Sequence, residues 1–283
     1  MNKLHKEKGT FMKKSILLIF FSVIVNMLFS ALFITRNEAD IITKELYHDN
    51  YFAELHNDAI VSIWDFNEFE LTLINHSLRV YTCIDFESFK ATMQRQNQAQ
   101  IEKELQSIDN DRQKMIVNAT LALYNTMKPR FMLVDTLRVH GFKAFEFHVY
   151  NGNIISQKLW ISKDLQEKIN TEVNYESIQL AENILKENRE NYFKSLGIRL
   201  DPISVIVEDI EKMGYVTKRI DYGLRDKIDP IKDKEIESQV NEISYILESK
   251  IDPDIFTFHK NYRKLSYNDY QMMMIREAEK RLE

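Results

Sequence analysis

The strongest structural signal in this chain is the stretch FKAFEFHVYNGNIISQKLWI, residues 142–161. Phe145 and Phe147 alternate with polar residues, and this two-residue period is typical of a β-strand with one buried face. Asn151-Gly152 is a strong tight-turn signal. The residues from 154 onward are therefore predicted to return as the second strand of an antiparallel hairpin.

Patterns on both sides of this hairpin extend the sheet. Period-2 alternation with short polar breaks predicts further strands, which cover about residues 60–64, 69–73, 78–84, 131–134, 215–222 and 236–247. Helix-forming residues dominate two inserted blocks, at about 88–127 and 166–214, and a short C-terminal helix is predicted over 268–282. The fold class predicted is α+β, a mostly antiparallel sheet with inserted helices.

The first helical block carries an apolar stripe and a potential break. Asp109-Asn110-Asp111 is expected to divide the block into two helices. The stripe recurs at helical spacing through Ile101, Leu105, Ile108, Met115, Ala119 and Leu123.

The N-terminus resembles an export signal. A lysine-rich leader precedes an apolar stretch of 20 residues, Ser15–Ile34, long enough at about 30 Å to cross a membrane as a helix. Three interpretations remain open: an uncleaved signal anchor, a signal peptide cleaved near Ser30-Ala31, and a buried core helix. We therefore predict a leader over residues 1–36, containing the N-terminal hydrophobic helix, and a single extracytoplasmic domain over residues 37–283.

The leader also predicts where the domain resides. Its lysines are expected to stay in the cytoplasm, which places the chain after Arg36 outside, either in the periplasm or anchored to the inner membrane. No cysteine follows the apolar stretch closely, so a lipid-modified N-terminal cysteine is excluded. Cys83 is the one cysteine of the chain, and an internal disulfide is therefore excluded as well.

Charge and motifs argue against several functional classes. A net charge of -5 gives no basis for a nucleic-acid partner. The sequence contains no His-Glu-x-x-His, Gly-x-Ser-x-Gly, phosphate-loop or Cys-x-x-Cys motif, so no metal, no cofactor and no catalytic residue is predicted. A non-enzymatic role follows as the expectation, with an unrecognised hydrolase as the least favoured alternative.

Aromatic residues on the predicted strands are the most unusual feature. They pack in the core under one interpretation, and under another they line an apolar cleft between sheet and helices. The candidate cleft residues are Trp160, Phe147, Phe145, Tyr81 and Trp64.

Three segments resemble the outer-membrane lipoprotein-sorting, LolA-like superfamily, in particular its periplasmic branch with DUF4412-type domains. They are the strand entry Val139–Phe147, the strand end Gln157–Leu165 and the closing segment Ile251–Phe256 with the following Tyr262. The resemblance covers residues 58–86, 131–165 and 236–264. It implies a strongly curved antiparallel sheet, an incomplete barrel whose concave side holds helices. It also implies an acyl chain or lipid-modified protein as ligand.

Two functional hypotheses follow. The first is an exported or membrane-anchored protein that binds a lipid or acyl group in an apolar cleft, with residues 15–34 as its contact with the membrane. The alternative is a non-catalytic envelope assembly factor whose helical inserts bind another envelope protein.

Overall fold

The computed structural model describes residues 30–38, 41–107, 110–195, 201–222 and 239–282. These residues form an α+β fold built on one sheet of 12 strands. The strands are β1 (Ser30–Glu38), β2 (Ile41–His48), β3 (Tyr51–His56), β4 (Ala59–Asp65), β5 (Glu70–Asn75), β6 (Val80–Asp85), β7 (Pro129–Val139), β8 (Phe142–Asn151), β9 (Ile154–Ser162), β10 (Tyr215–Asp221), β11 (Gln239–Lys250) and β12 (Arg263–Lys264).

The strands lie in the order β12-β6-β5-β4-β3-β2-β1-β11-β10-β9-β8-β7. Every neighbouring pair is antiparallel except β6 and β12, which are parallel. The predicted mostly antiparallel α+β architecture is therefore confirmed.

Helices fill the intervals that the sequence predicted. They are α1 (Phe86–Ser107), α2 (Asn110–Thr126), α3 (Lys163–Asn170), α4 (Tyr175–Ser195), α5 (Pro202–Glu211) and α6 (Tyr267–Leu282). The first block divides at the expected place, since α1 ends at Ser107 and α2 begins at Asn110. Side-chain caps fix two of the helix starts: the backbone N–H of Leu165 donates to Ser162 Oγ, and Asp201 accepts from the first turn of α5.

The sheet begins earlier than the sequence suggested. The strands β1, β2 and β3 were not predicted, and β1 lies in the middle of the sheet between β2 and β11. The apolar stretch therefore ends inside the sheet, with Ser30–Ile34 in a strand instead of the predicted hydrophobic helix. The predicted boundary after Arg36 also falls within β1. The rest of the predicted helix, up to Phe29, lies outside the described residues.

The reason for this difference is burial on both faces. A central strand covered on both sides needs no polar alternation, so it has the same continuous apolar character as a leader helix. Leu32 and Ile34 are at most 1% exposed on one face, and Ala31 is 1% exposed on the other.

One face of the sheet holds two apolar clusters covered by helices. The larger includes residues of α1, α3, α4 and α6, and the smaller lies beneath α5 and the end of α2. Strand pairing shows that they share a face. Residues two apart on a strand share a face, and so do residues that are directly paired across two strands. Ile243 of the larger cluster lies two residues from Asn241, which is paired with Arg219. Arg219 is in turn paired with Leu159 of the smaller cluster.

The closing segment after β11 covers part of the opposite face. Two short 3-10 helices, Pro253–Phe256 and Phe258–Asn261, pack there against β2 to β6. The ring of Phe256 stacks on Tyr51 with centroids 4.6 Å apart, and His259 meets Tyr81 at 4.8 Å.

Candidate functional site

A cleft of about 550 Å³ opens on the helix-covered face, near the β7 end of the sheet. This volume lies within the range of about 300–1,000 Å³ that is typical of small-molecule sites. The sheet, α3 and the turn after α5 form its walls, through Leu133, Phe145, Phe147, Ile161, Lys163, Gln166, Glu167, Asn170, Lys212 and Met213.

Strand pairing produces an apolar floor. Phe147 is paired with Leu133 on β7, and Phe145 is paired with Ile161 on β9. Because directly paired residues of antiparallel strands share a face, these four side chains form one continuous surface. Leu133, at the outer strand, is 54% exposed, so the floor is open to solvent on that side.

Two helical segments enclose the floor. α3 starts directly after β9, and its N-cap Ser162 fixes the direction in which it leaves the sheet. On the other side the chain turns from α5 into β10 at Gly214. A Cβ atom at this position would lie 2.9 Å from Ile161 Cγ2 and 3.0 Å from the Ser162 backbone, so only glycine allows so close an approach.

Three lysines lie in or beside the cleft. Lys163 and Lys212 line the cleft, and the Lys143 ammonium lies 4.8 Å from the centroid of the Phe145 ring. Glu167 is the acidic residue of the lining, and Lys212 is paired with Asp209 at 2.8 Å on the surface. The site combines an apolar surface with nearby cationic groups, which suits an amphiphilic ligand.

The structure separates the five residues predicted to line a cleft. Phe145 and Phe147 lie together in the cleft described above. Trp160 lies on the opposite face of the same hairpin, with its ring 5.5 Å from Lys218 Nζ.

The other two predicted residues lie far along the sheet order, in β4 and β6. Trp64 is packed in the core under α1, with its ring 5.5 Å from Phe86 and 6.1 Å from Phe89. Tyr81 belongs to the cluster on the opposite face, under the closing segment. The cleft instead contains Leu133, Ile161 and Met213, whose only signal in the sequence is apolar character.

A second hollow, of about 500 Å³, has polar walls. It lies between the β2–β3 turn and the α3–α4 connection, where His48 Nδ1 is 3.7 Å from a Glu172 carboxylate oxygen. Burial raises the pKa of Glu172 above its ordinary value, and the neighbouring His48 partly opposes this shift. The walls carry little apolar surface, so this hollow is less suited to an apolar ligand.

A buried polar network joins β1, β2 and β10. Arg36 Nε donates to Glu45 Oε1 at 2.7 Å, and Tyr47 and Tyr215 both donate to the other oxygen of this carboxylate. Burial raises the pKa of Tyr47 and of Tyr215, and the charge of Glu45 adds to both shifts. Arg36 also donates to the Asn241 side-chain oxygen and to the Val216 carbonyl, so each of its three guanidinium nitrogens donates a hydrogen bond. The network therefore connects neighbouring strands of the sheet.

The described residues contain no group of three or more His, Cys, Asp and Glu side chains placed to hold a metal ion. Within the same part of the chain, none of the helices is both long and apolar enough to span a membrane.

The sequence matches no protein-family model and has no significant similarity to a curated protein.

Proposed function

We propose that this chain is an exported binding protein that holds an acyl chain, free or as part of a lipid, in the cleft between β7–β9 and α3. The observation that carries the proposal is the continuous apolar floor of Leu133, Phe145, Phe147 and Ile161, open at one side.

Area burial supplies the driving force. Each Å² of apolar surface removed from water contributes about 25 cal/mol. Leu133 and Met213 are 54% and 36% exposed in the cleft, so a ligand chain that covers them gains this free energy. The nearby lysines are suited to keeping a polar head group at the solvent side.

The LolA-like fold is part of the proposal. An antiparallel sheet that carries most of its helices on one face agrees with what the resemblance implies. The strong curvature that the resemblance implies belongs to the same proposal, and we offer as its rationale that His140 Nε2, at the tip of the β7–β8 hairpin, lies 2.8 Å from the Ile243 carbonyl oxygen on β11. The pairing register shifts in three successive ladders, β7 with β8, β8 with β9 and β9 with β10, and such shifts favour the same bending.

Export is proposed from the N-terminal sequence. The lysine-rich segment followed by apolar residues from Ser15 onward is typical of a leader, and the positive-inside rule places the sheet outside the cytoplasm. In that compartment the lipids of the adjacent membrane would be a source of acyl chains.

The test uses two neighbouring residues of β7. Leu133 lines the cleft, whereas Met132 is paired with His148 on the opposite face, and the two are similarly exposed at 54% and 47%. The full chain is expressed with its leader, purified from the envelope fraction, examined by native mass spectrometry and titrated with a fluorescent fatty acid.

Leu133→Asp should weaken acyl binding at least about tenfold, because a contact worth about 1.5–3 kcal/mol is lost and a charge is added. Met132→Asp should bind as the wild type does. Equal binding by both variants, or no saturable binding by the wild type, would refute the proposal.

Exposed apolar residues on α2 favour a second candidate function, an envelope assembly factor. Met115 and Leu123 belong to the predicted apolar stripe, yet they are 66% and 41% exposed. These side chains are available to a partner protein. Site-specific crosslinking from position 115 should give one defined adduct that Leu123→Asp abolishes, and a diffuse pattern would argue against this role.

A further inference from the structure

β1 is an integral part of the folded sheet. Its residues pair with β2 on one side and with β11 on the other, and Leu32 is opposite both Tyr47 and Glu248. Leu32 and Ile34 are at most 1% exposed beneath the helices. Removing this strand would expose apolar side chains and leave two neighbouring strands without their hydrogen-bond partners.

The end of β1 is held by the buried polar network. Arg36 is bonded to Glu45, Asn241 and the Val216 carbonyl, and its side chain is only 12% exposed. Arg36 is therefore a structural residue of the domain and not part of a linker between a membrane segment and the domain.

This placement limits the leader. With Ser30–Ile34 in the sheet, the apolar stretch that is free to act as a leader runs from Ser15 to Phe29, which is 15 residues. As a helix it would be about 22 Å long, shorter than the hydrocarbon core of about 30 Å. A length of about 7–15 residues is typical of the apolar region of a cleaved signal peptide.

We infer that the leader ends no later than the Ser30–Ala31 bond and that a leader peptidase removes it there or upstream, leaving β1, at least from Ala31 onward, as the first strand of the mature protein. This inference rests on the proposed export. It concerns processing alone, so its test does not depend on whether the cleft binds an acyl chain.

The reaction is the hydrolysis of one peptide bond. One water is consumed, the leader keeps a new carboxylate and the mature chain gains a new α-ammonium group. Ala31 is paired with Ser249 and is 1% exposed in the folded sheet, so cleavage must precede the pairing of β1. The peptidase therefore acts during export, while this segment is still extended.

N-terminal sequencing and intact mass of the exported full-length product test the inference. The expected first residue lies at or before Ala31, with Lys13 and Lys14 absent. A product that keeps these lysines would overturn the inference, and so would one that begins after Ala31.

Limited trypsin digestion gives a second measurement of the processing inference, which is independent of the proposed acyl binding. With β1 in the sheet, the bond after Arg36 should resist trypsin in the native protein and be cut once urea unfolds it. Rapid native cleavage there would mean that residues 30–36 form a linker, against the inference. Loss of acyl binding with the expected N-terminus would refute the proposed function and leave the processing site intact.

Discussion

Phe147 and Trp160 lie on opposite faces of the sheet, although both are large aromatic residues of one hairpin. Phe147 is paired with Leu159, and Trp160 is the next residue along β9. Since successive side chains of a strand point to opposite faces, the ring of Phe147 enters the cleft and that of Trp160 does not.

Alanine substitution at these two positions should separate ligand binding from stability. Phe147 and Trp160 are similarly buried, at 8% and 9% exposure, so each change should cost about 3–5 kcal/mol of unfolding free energy. Only Phe147→Ala should weaken acyl binding, because only Phe147 lines the cleft. Urea denaturation and fluorescent-ligand titration measure the two effects. Equal loss of binding in two folded variants would contradict the assignment of the cleft.

The sequence predicted the hairpin but not which aromatic residues share a face. A two-residue turn at Gly152-Asn153, with pairing unbroken from Asn151 opposite Ile154, would place Phe145 opposite Trp160. The actual ladder shifts by one residue between Val149 and Tyr150, so that Phe145 is opposite Ile161 instead. A one-residue shift in register moves every later side chain of one strand to the other face of the sheet relative to its partner strand. No residue pattern in the hairpin predicts this shift.

The extent of the sheet was hidden for a different reason. β1 has consecutive apolar residues because both of its faces are buried, and in the sequence it follows directly on the apolar residues from Ser15 to Phe29. Composition alone cannot divide such a run into a membrane-directed part and a core strand. The distinction depends on the partners of β1 in β2 and β11, of which β11 is more than 200 residues away along the chain.

Two isoleucines on neighbouring strands test the structural role of β1. Ile34 is 0% exposed in β1, and Ile42 is 59% exposed in β2. Ile34→Ala should lower the unfolding free energy of the protein by about 2–5 kcal/mol, as expected for a truncated core side chain. Ile42→Ala should change it by no more than about 0.5 kcal/mol. Chemical denaturation of the two variants is the measurement. Equal, small changes in unfolding free energy would mean that β1 is not part of the core.

His259 makes stability depend on pH. Burial lowers its pKa from 6.5 to about 4, and Lys260 and Lys264 contribute to the same shift. The unfolded chain therefore takes up a proton at higher pH than the folded one. The stabilisation is fully present above pH 6.5 and is lost as pH falls toward 4.

The variant His259→Gln should flatten the fall in stability over this interval. The urea midpoint, measured for both proteins at several pH values, reports the difference. Carboxylates titrate in both proteins, so the difference between the two curves isolates the histidine. Parallel curves would mean that His259 is solvated in the native state and that the closing segment is less tightly packed than described.

The lysines beside the cleft should favour an anionic head group. Lys163 lines the cleft, while Lys158 is paired with His148 on the opposite face of the hairpin and serves as the matched control. An exposed ion pair contributes about 0.2–1 kcal/mol. Lys163→Glu should therefore reduce the affinity for a fatty acid up to about fivefold, with little effect on the fatty alcohol of equal length.

Lys158→Glu changes the net charge by the same amount and should leave both affinities unaltered. Added salt should weaken fatty-acid binding in the wild type and have less effect in Lys163→Glu, because screening acts on the charge pair and not on the buried chain. If both variants lowered fatty-acid affinity equally, the overall charge of the protein would be responsible. Lys163 would then have no particular role in holding the head group.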